Sequence, residues 1–471
     1  MTKRHALLLF FLPLLTGLAK TKDPRDLEFP TRLEFTPHQV DYHTLSNGIE
    51  VFFVEDHEVP LTDIHFFIKA GENRIPGEYA GLAEICAYLI TEGGSRTVPK
   101  RVFEDSLKNF GASFYGYSGT DEASFTLHLL SKHIPELLPM VVEAIRQPAL
   151  PENQLAVNKG QYLIGYQSRN SEPSSVASRI FKKLIYGKNS PDVRETTPEN
   201  LAKITLEKIA EFHKANYRPE HMMIGVAGDF EPKVMLDLLE RYLGNWENPS
   251  ENPWEEIPTY LDPAPGGVYY VHWPEAVQSN VRMGYEGIYR DAPDYPASRL
   301  FVEIYGGSWG SRLIKQVRVE KGYAYVAYGV LSSGFTEPGT FRILTSTKTE
   351  TTVDAIQLIL EITRDMKTKG VTEDELRFSK TSWLASFPAY YAEPEQVLFD
   401  RMRYAKYDFP LDFWDKLPDK IEPLEVTDVN AFASRFIETE KLVILVLGDS
   451  TAFHGSLSDI GEVTIIDPEE Y

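Results

Sequence analysis

The sequence predicts an α+β protein built from two duplicated halves, each with a largely antiparallel sheet. Three observations lead to this prediction. Strand-like and helix-like segments follow one another without strict βαβ alternation. A proline-rich stretch lies near the middle of the chain, and short segments before it recur after it at an almost constant spacing. The length of 471 residues, 42% of them hydrophobic, is sufficient for two or three folded domains.

The individual elements are predicted from residue patterns. Runs rich in β-branched and aromatic residues are typical of strands, and apolar residues at helical spacing are typical of amphipathic helices. Strands are predicted at TDIHFFIKAG (62–71), ASFTLHLLS (123–131), MMIGVAGDF (222–230) and GTFRILTSTK (339–348). Helices are predicted at LEKIAEFHKANY (206–217) and TVDAIQLILEITRDMKTKG (352–370).

The start of the chain is typical of an export signal. A short basic region, Lys3–His5, precedes an apolar run, Ala6–Leu15, that is too short to span a bilayer. Gly17 and Ala19 provide small residues at the spacing of a cleavage site. We therefore predict a signal peptide at residues 1–19, a periplasmic location for the exported chain, and no integral membrane association after cleavage.

The composition excludes one class of partner and one kind of cross-link. The formal net charge is −21 and the isoelectric point is about 5.0, whereas binding to nucleic acid needs a basic face. Cys86 is the only cysteine, so no disulfide within the chain is expected. Its apolar neighbours Ile85 and Leu89 predict that the thiol is buried.

The proline-rich stretch NPSENPWEEIPTYLDPAPGG, residues 248–267, predicts a linker because proline at this density resists helix and sheet. It separates an N-terminal domain, residues 20–247, from a C-terminal domain, residues 268–471. PENQL at 151 matches TEDEL at 372, SEP at 171 matches AEP at 392, and MMIGVAGDF ending at 230 matches LVILVLGDS ending at 450. These offsets of 221, 221 and 220 agree within one residue, which favours an internal duplication.

Three longer segments carry a family resemblance. They are AGENRIPGEYAGLAEICAYLITEGGSR (70–96), HKANYRPEHMMIGVAGDF (213–230) and GGSWGSRLIKQVRVEKGYAYVAY (306–328). The first predicts a strand end, a loop and a helix, the second a helix-to-strand turn, and the third a Gly-rich loop, a helix and a strand. Together they resemble peptidases of the pitrilysin/insulinase type, over roughly residues 38–449. The resemblance implies that each half is a peptidase-like α/β roll.

The residues that would hold a metal in that family are replaced here. Its members carry an inverted zinc motif, H-x-x-E-H, on the first of these helices, and a Glu farther along the chain is the third ligand. The matching positions are Glu84, Ala87, Tyr88 and Gly165. A catalytic zinc uses three protein ligands and a water, a phenol is a poor ligand at neutral pH, and alanine cannot move a proton. We therefore expect this chain to bind no metal and no cofactor.

A second departure concerns the strand that binds substrate. Active family members have an Asn on an edge strand, in an Asn-Ala-x-Thr setting, and the matching segment is Tyr115-Gly116-Tyr117-Ser118. The sequence therefore leaves open whether the N-terminal half still binds peptide.

The second half keeps the family's Arg-x₆-Tyr element, as Arg318 and Tyr325. In the family these two side chains bind the scissile carbonyl and stabilise the tetrahedral intermediate. Arginine is a permanent cation with a planar fork of donors, and the tyrosine hydroxyl adds a neutral donor. Gly322 predicts a helix end, with Arg318 in the last turn and Tyr325 on the following strand. The simpler alternative is that Arg318 pairs with a surface carboxylate.

An Arg–Tyr pair without a metal implies a second chain. Two-subunit family members divide the work in this way, so the resemblance implies that this chain is the non-metal-binding subunit of a heterodimeric zinc metallopeptidase that degrades or processes peptides. The partner would be a homologous subunit that has an intact H-x-x-E-H motif and holds the zinc. This chain alone would be inactive, with Arg318 and Tyr325 catalytic in the complex.

Two other functions are compatible with the sequence. One is a non-catalytic scaffold or peptide-binding protein of the same fold. The other is a serine hydrolase, because Gly306–Gly310 fits G-x-S-x-G and His454 lies downstream. A nucleophile elbow of that kind needs a preceding parallel strand, which the sequence does not predict.

Overall fold

The computed structural model describes residues 36–247 and 262–471, so the predicted signal peptide and most of the predicted linker lie outside the described residues. The first half contains, in chain order, β1 Asp41–Thr44, β2 Glu50–Glu55, β3 Leu61–Ile68, α1 Leu82–Gly93, α2 Lys100–Asn109, β4 Ser113–Ser118, β5 Ala123–Leu130, α3 Ile134–Arg146, α4 Glu152–Gln167, α5 Pro173–Tyr186, α6 Pro198–Lys203, α7 Leu206–Asn216, β6 Met222–Gly228 and α8 Pro232–Leu243.

The second half repeats much of this pattern. It contains β7 Gly267–His272, β8 Gln278–Glu286, β9 Ile288–Tyr289, α9 Tyr295–Val302, β10 Ala324–Leu331, β11 Ser333–Gly334, β12 Thr340–Lys348, α10 Thr352–Thr368, α11 Glu373–Tyr390, α12 Pro394–Lys406, α13 Leu417–Ile421, α14 Val426–Phe436, β13 Val443–Gly448 and β14 Val463–Ile465. Two π-helical segments, Glu303–Gly307 and Ile314–Glu320, lie between α9 and β10.

The two sheets have the same strand order. Within residues 36–247, six strands are arranged β1-β2-β6-β3-β5-β4, and within residues 262–471 six strands are arranged β14-β7-β13-β8-β12-β10. The corresponding pairs β2–β6 and β7–β13 are both parallel, whereas β3–β5 and β8–β12 are both antiparallel. The pairs differ at one edge of the sheets, where β1–β2 is antiparallel and β14–β7 is parallel. This common order confirms the predicted duplication and the largely antiparallel sheets.

The elements predicted from residue patterns are present. The four predicted strands are β3, β5, β6 and β12, and the two predicted helices are α7 and α10. Cys86 is 0% exposed, as predicted, and burial raises the pKa of its thiol to about 12. In the described ranges, no helix combines the length and the apolar character needed to cross a membrane.

One helix of each half packs against the sheet of the other half. The apolar face of α5 contacts Val271, Leu445 and Leu447 of the second sheet. In the same way, Leu398 and Met402 of α12 pack on β2 and β6 of the first sheet. The glycine at 225 in β6 allows this approach, because a Cβ there would lie 2.5 Å from the Met402 sulfur. The two halves are therefore joined by two reciprocal apolar contacts.

Candidate functional site

Helix α1 is the element at which the family resemblance places a metal. It begins after Gly81, whose φ of +92° is left-handed and whose N–H donates to both carboxylate oxygens of Glu72, at 3.1 and 3.2 Å. Glu84 is exposed, whereas Ala87 is 0% exposed and lies in the core. Tyr88 is half-buried, and its hydroxyl donates to Gln154 Oε1 at 3.5 Å. The position of the family's general base is thus occupied by a core residue.

An open cavity of about 650 Å³ lies beside α1. We call it the Glu84 cavity; its walls include Glu84, Tyr88, Tyr117, Asn158, Tyr162 and Gly165. A Cβ added at Gly165 would meet no atom within 4 Å, so this position of α4 faces open space. The structure therefore brings together, on one cavity, three of the positions that the resemblance aligns with zinc ligands.

Burial perturbs two groups at this site. It raises the pKa of Glu72, behind the N-terminus of α1, to about 7. It also raises the pKa of Tyr162, and the neighbouring Glu84 carboxylate adds to the increase because it disfavours a second negative charge. The phenol of Tyr162 consequently stays neutral at physiological pH.

The residues at the cavity do not fit a zinc ion. In residues 36–247 and 262–471, no group of three or more His, Cys, Asp or Glu side chains is placed to hold a metal. The second carboxylate on the cavity wall, Glu195, is engaged by Arg179 at 3.1 Å and by Lys183 at 3.3 Å. Glu84 is then left as a single carboxylate, where a catalytic zinc requires three ligands.

The first sheet ends at β4, next to the cavity. Its side chains at Tyr115 and Tyr117 are 55% and 63% exposed. Gly116 lies between them, and a Cβ there would come within 2.4 Å of the Phe125 ring on β5. No Asn occupies this strand, so the family's side-chain contact to substrate is replaced by two exposed phenols.

Arg318 and Tyr325 occupy the positions that the sequence predicts. Arg318 is in the last turn of the π-helical segment Ile314–Glu320, whose C-cap Lys321 is followed by Gly322 with φ +64°. Tyr325 is on β10, the edge strand of the second sheet, where the register shifts between Ala324 and Val326. This shift is typical of a β-bulge, which re-aims a side chain. The Tyr325 side chain is 75% exposed.

A third aromatic residue, Trp309, completes this arrangement. The guanidinium carbon of Arg318 lies 4.7 Å from the centre of the Tyr325 ring and 5.0 Å from that of Trp309. Trp309 belongs to the Gly-rich loop, which is fixed against β10 because a Cβ on Gly306 would lie 2.3 Å from the Gly329 nitrogen. We call Trp309, Arg318 and Tyr325 the aromatic–arginine cluster. Sequence reasoning missed Trp309, although cation–π contact is a common use of tryptophan beside arginine.

The aromatic–arginine cluster and the Glu84 cavity are separate sites. Neither Arg318 nor Tyr325 lines the cavity that contains Glu84. Among the described residues, Arg318 contacts the rings of Trp309 and Tyr325, and no carboxylate is paired with it.

The serine hydrolase alternative is wrong in its structural context. Ser308 follows the π-helical segment Glu303–Gly307 rather than a strand, and its hydroxyl donates to the Glu303 carbonyl at 3.0 Å. A nucleophile elbow requires a strand directly before the serine and a hydroxyl available to donate to a histidine base. The Gly-rich segment is instead a bend between two helical segments.

Comparison with known families matches two domain models. Residues 50–190 match a model described as insulinase (peptidase family M16), and residues 203–382 match one described as the peptidase M16 inactive domain. A protein of Helicobacter pylori called non-peptidase homolog YmxG is 23% identical over 407 residues, which cover 85% of this chain and 92% of that protein. A Bacillus subtilis protein called uncharacterized zinc protease YmxG is 22% identical, over 72% of this chain and 81% of its own length.

Solved structures show the same fold. A peptidase M16 inactive domain from Pseudomonas fluorescens superimposes with a TM-score of 0.78 at 23% identity, covering 88% of this chain and 99% of that one. The periplasmic protease PqqL from Escherichia coli superimposes with a TM-score of 0.74 at 14% identity, covering 95% of this chain and 49% of that one.

Proposed function

Since this chain belongs to the insulinase (M16) family of peptidases, we propose that it is the metal-free subunit of a two-chain zinc metallopeptidase. In this proposal it supplies Arg318 and Tyr325 in trans to the zinc site of a homologous partner. The observation that supports it is the aromatic–arginine cluster, in which half-buried Arg318 on a π-helical segment lies beside exposed Tyr325 on an edge strand. The chain's own metal-motif positions are Glu84, Ala87, Tyr88 and Gly165. Peptides are the proposed substrates.

The cluster has the properties of a preorganised donor pair. Contact with two rings restricts the guanidinium of Arg318, and a cation–π contact uses none of its five N–H donors as a conventional hydrogen bond. The exposed phenol of Tyr325 provides a neutral donor beside it. Donors fixed before the reaction lose little entropy when charge develops on a substrate oxygen.

The chemistry of peptide hydrolysis would then be divided between the chains. A zinc ion bound by the partner would supply the activated water. Arg318 and Tyr325 would donate hydrogen bonds to the scissile carbonyl oxygen and to the oxyanion that forms from it. Their contribution falls in the class of oxyanion-hole donors, each of which contributes roughly 10²–10³-fold to turnover.

Location and partnership follow from the same proposal. The predicted signal peptide and the fold shared with a periplasmic protease support export to the periplasm. A heterodimer is the simplest assembly in which an Arg–Tyr pair from one chain reaches a metal held by another.

Reconstitution tests the proposal. The mature chain and an exported homologue with an intact H-x-x-E-H motif, encoded in the same genome, are purified separately and mixed. We expect neither chain alone to cleave a fluorogenic peptide library, and the mixture to cleave it in a manner abolished by a zinc chelator. A stable but inactive complex would contradict the proposal and favour the alternative, a scaffold or peptide-binding protein. Chelator-sensitive cleavage by this chain alone would also contradict it.

A further inference from the structure

We propose that the Glu84 cavity, no longer a metal site, binds one organic cation, namely the ammonium or guanidinium group of a peptide. This inference rests on the proposed function in so far as that function brings peptides to the chain. It assigns a role to a carboxylate that the proposed trans catalysis leaves unused.

The first support is the charge balance of the cavity wall. Arg169 is paired with Glu469, and Glu195 is engaged by Arg179 and Lys183. Arg194 Nη1 donates to the Glu72 and Ile75 carbonyls at 3.2 and 2.6 Å, and among the described residues no ion pair joins Arg194 to Glu84. Within the described residues, Glu84 is the carboxylate on this wall that has no cationic partner.

The second support is the aromatic content of the same wall. Tyr88, Tyr117, Tyr162 and Tyr166 all line the cavity. The face of a tyrosine ring attracts cations, and the attraction grows as water is excluded. Tyr166 already accepts such a contact, with the Arg169 guanidinium carbon 4.0 Å from its ring centre. Glu84 therefore shares a cavity wall with four phenol rings, a combination that favours an amine or a guanidinium over an anion.

The third support is a buried acceptor without a partner. Asn158 lines the cavity and is only 6% exposed, and its Oδ1 has no hydrogen-bond partner among the described residues. A buried polar atom left unpaired is costly, so an N–H donor that enters the cavity and reaches Asn158 Oδ1 would be stabilised by it. Ammonium and guanidinium groups carry several N–H donors, so one group can bind both Glu84 and Asn158.

Binding of matched peptides tests the inference without any partner subunit. The probes are N-acetylated decapeptides of glycine, serine and alanine with one central lysine, arginine or norleucine, together with the norleucine peptide carrying a free amino terminus. Dissociation constants are measured by calorimetry on the purified mature chain. We expect a cationic peptide to bind about tenfold more tightly than the acetylated norleucine peptide, the difference typical of one partly desolvated cation contact. The acetylated and free-terminus arms identify whether a side chain or the chain terminus provides the cation.

Two variants test whether a preference for cationic peptides arises from the Glu84 cavity. Glu84→Gln keeps the size of the side chain and should remove the preference for the cation. Glu152→Gln, at an exposed position of α4 outside the cavity, makes the same change in net charge and should leave the preference intact. Equal affinity of the wild-type chain for all four peptides, or an unchanged preference in Glu84→Gln, would overturn the inference.

Failure of this inference can be distinguished from failure of the proposed function. A cation preference that depends on Glu84 would uphold the cavity's role even if the reconstituted complex failed to cleave peptides. Conversely, an active complex whose subunit shows no such preference would leave the trans catalysis standing and remove this inference.

Discussion

The guanidinium carbon of Arg318 lies 4.7 Å from the ring centre of Tyr325, so the two side chains are in cation–π contact rather than independent. They come from elements of different kinds, a π-helical segment and an edge strand, joined by a short turn at Gly322. π-Helical turns are rare and frequently lie at functional sites. The pair that the sequence motif predicts is therefore also a structural unit, so a substitution of one residue can change the position of the other.

Tyr325→Phe should lower turnover of the reconstituted complex by roughly 10²–10³, the usual loss for one oxyanion donor. The variant deletes one hydroxyl and keeps the ring that contacts Arg318, so assembly and the partner's zinc content should not change. Steady-state kinetics should show the loss mainly in kcat. Tyr328→Phe, on the same strand and 39% exposed, is the matched control and should behave as wild type. A fully active Tyr325→Phe complex would show that Tyr325 has no catalytic part.

Trp309→Ala should weaken catalysis only by loosening the position of Arg318. An exposed cation–π contact contributes about 0.5–1 kcal/mol, so we expect a two- to fivefold fall in kcat/KM. Trp309→Phe should recover most of the loss because it restores an aromatic face. In an Arg318→Ala background the tryptophan substitution should have no further effect. An equal loss in both backgrounds would mean that Trp309 acts independently of Arg318.

The sequence predicted what depends on local pattern and spacing. Residue periodicity predicts the four strands and the two helices, and a helix-ending glycine predicts the places of Arg318 and Tyr325. These features can therefore be predicted from a single sequence. The reciprocal packing of α5 and α12 was not, because long-range pairing leaves no periodic signal in either helix. Trp309 and Asn158 could not be predicted either, because their roles depend on contacts between elements that are separate in the sequence.

Glu72→Gln should change the pH dependence of stability. Burial raises the pKa of Glu72 from 4.5 to about 7, so between these values the folded chain retains a proton that the unfolded chain has released. Stability contributed by this group therefore decreases as the pH rises through that window. The glutamine keeps an acceptor for the Gly81 N–H and cannot ionise. Relative to wild type, the variant should gain on the order of 2–3 kcal/mol between pH 5 and pH 8, measured by denaturant unfolding. Parallel stability curves for the two proteins would contradict the assignment.

When the metal motif is restored by substitution, the change at Ala87 should destabilise the fold, whereas the change at Gly165 should not. Gly165→Glu alone should be neutral or stabilising by about 0.5–1 kcal/mol, because its Cβ enters open space and a helical glycine is replaced. Ala87→Glu should destabilise by roughly 2–4 kcal/mol, because a carboxylate would replace a methyl group at a position that is 0% exposed.

The quadruple variant Glu84→His, Ala87→Glu, Tyr88→His and Gly165→Glu should therefore unfold at a lower temperature than wild type and should bind zinc weakly, because the residues that orient metal ligands are absent as well. Thermal melting and elemental analysis after dialysis measure both effects. Gly165→Glu serves as the control for a new carboxylate at the same cavity. Retention of about one zinc per chain by the quadruple variant, with wild-type stability, would show that the core around Ala87 still accommodates the family's general base.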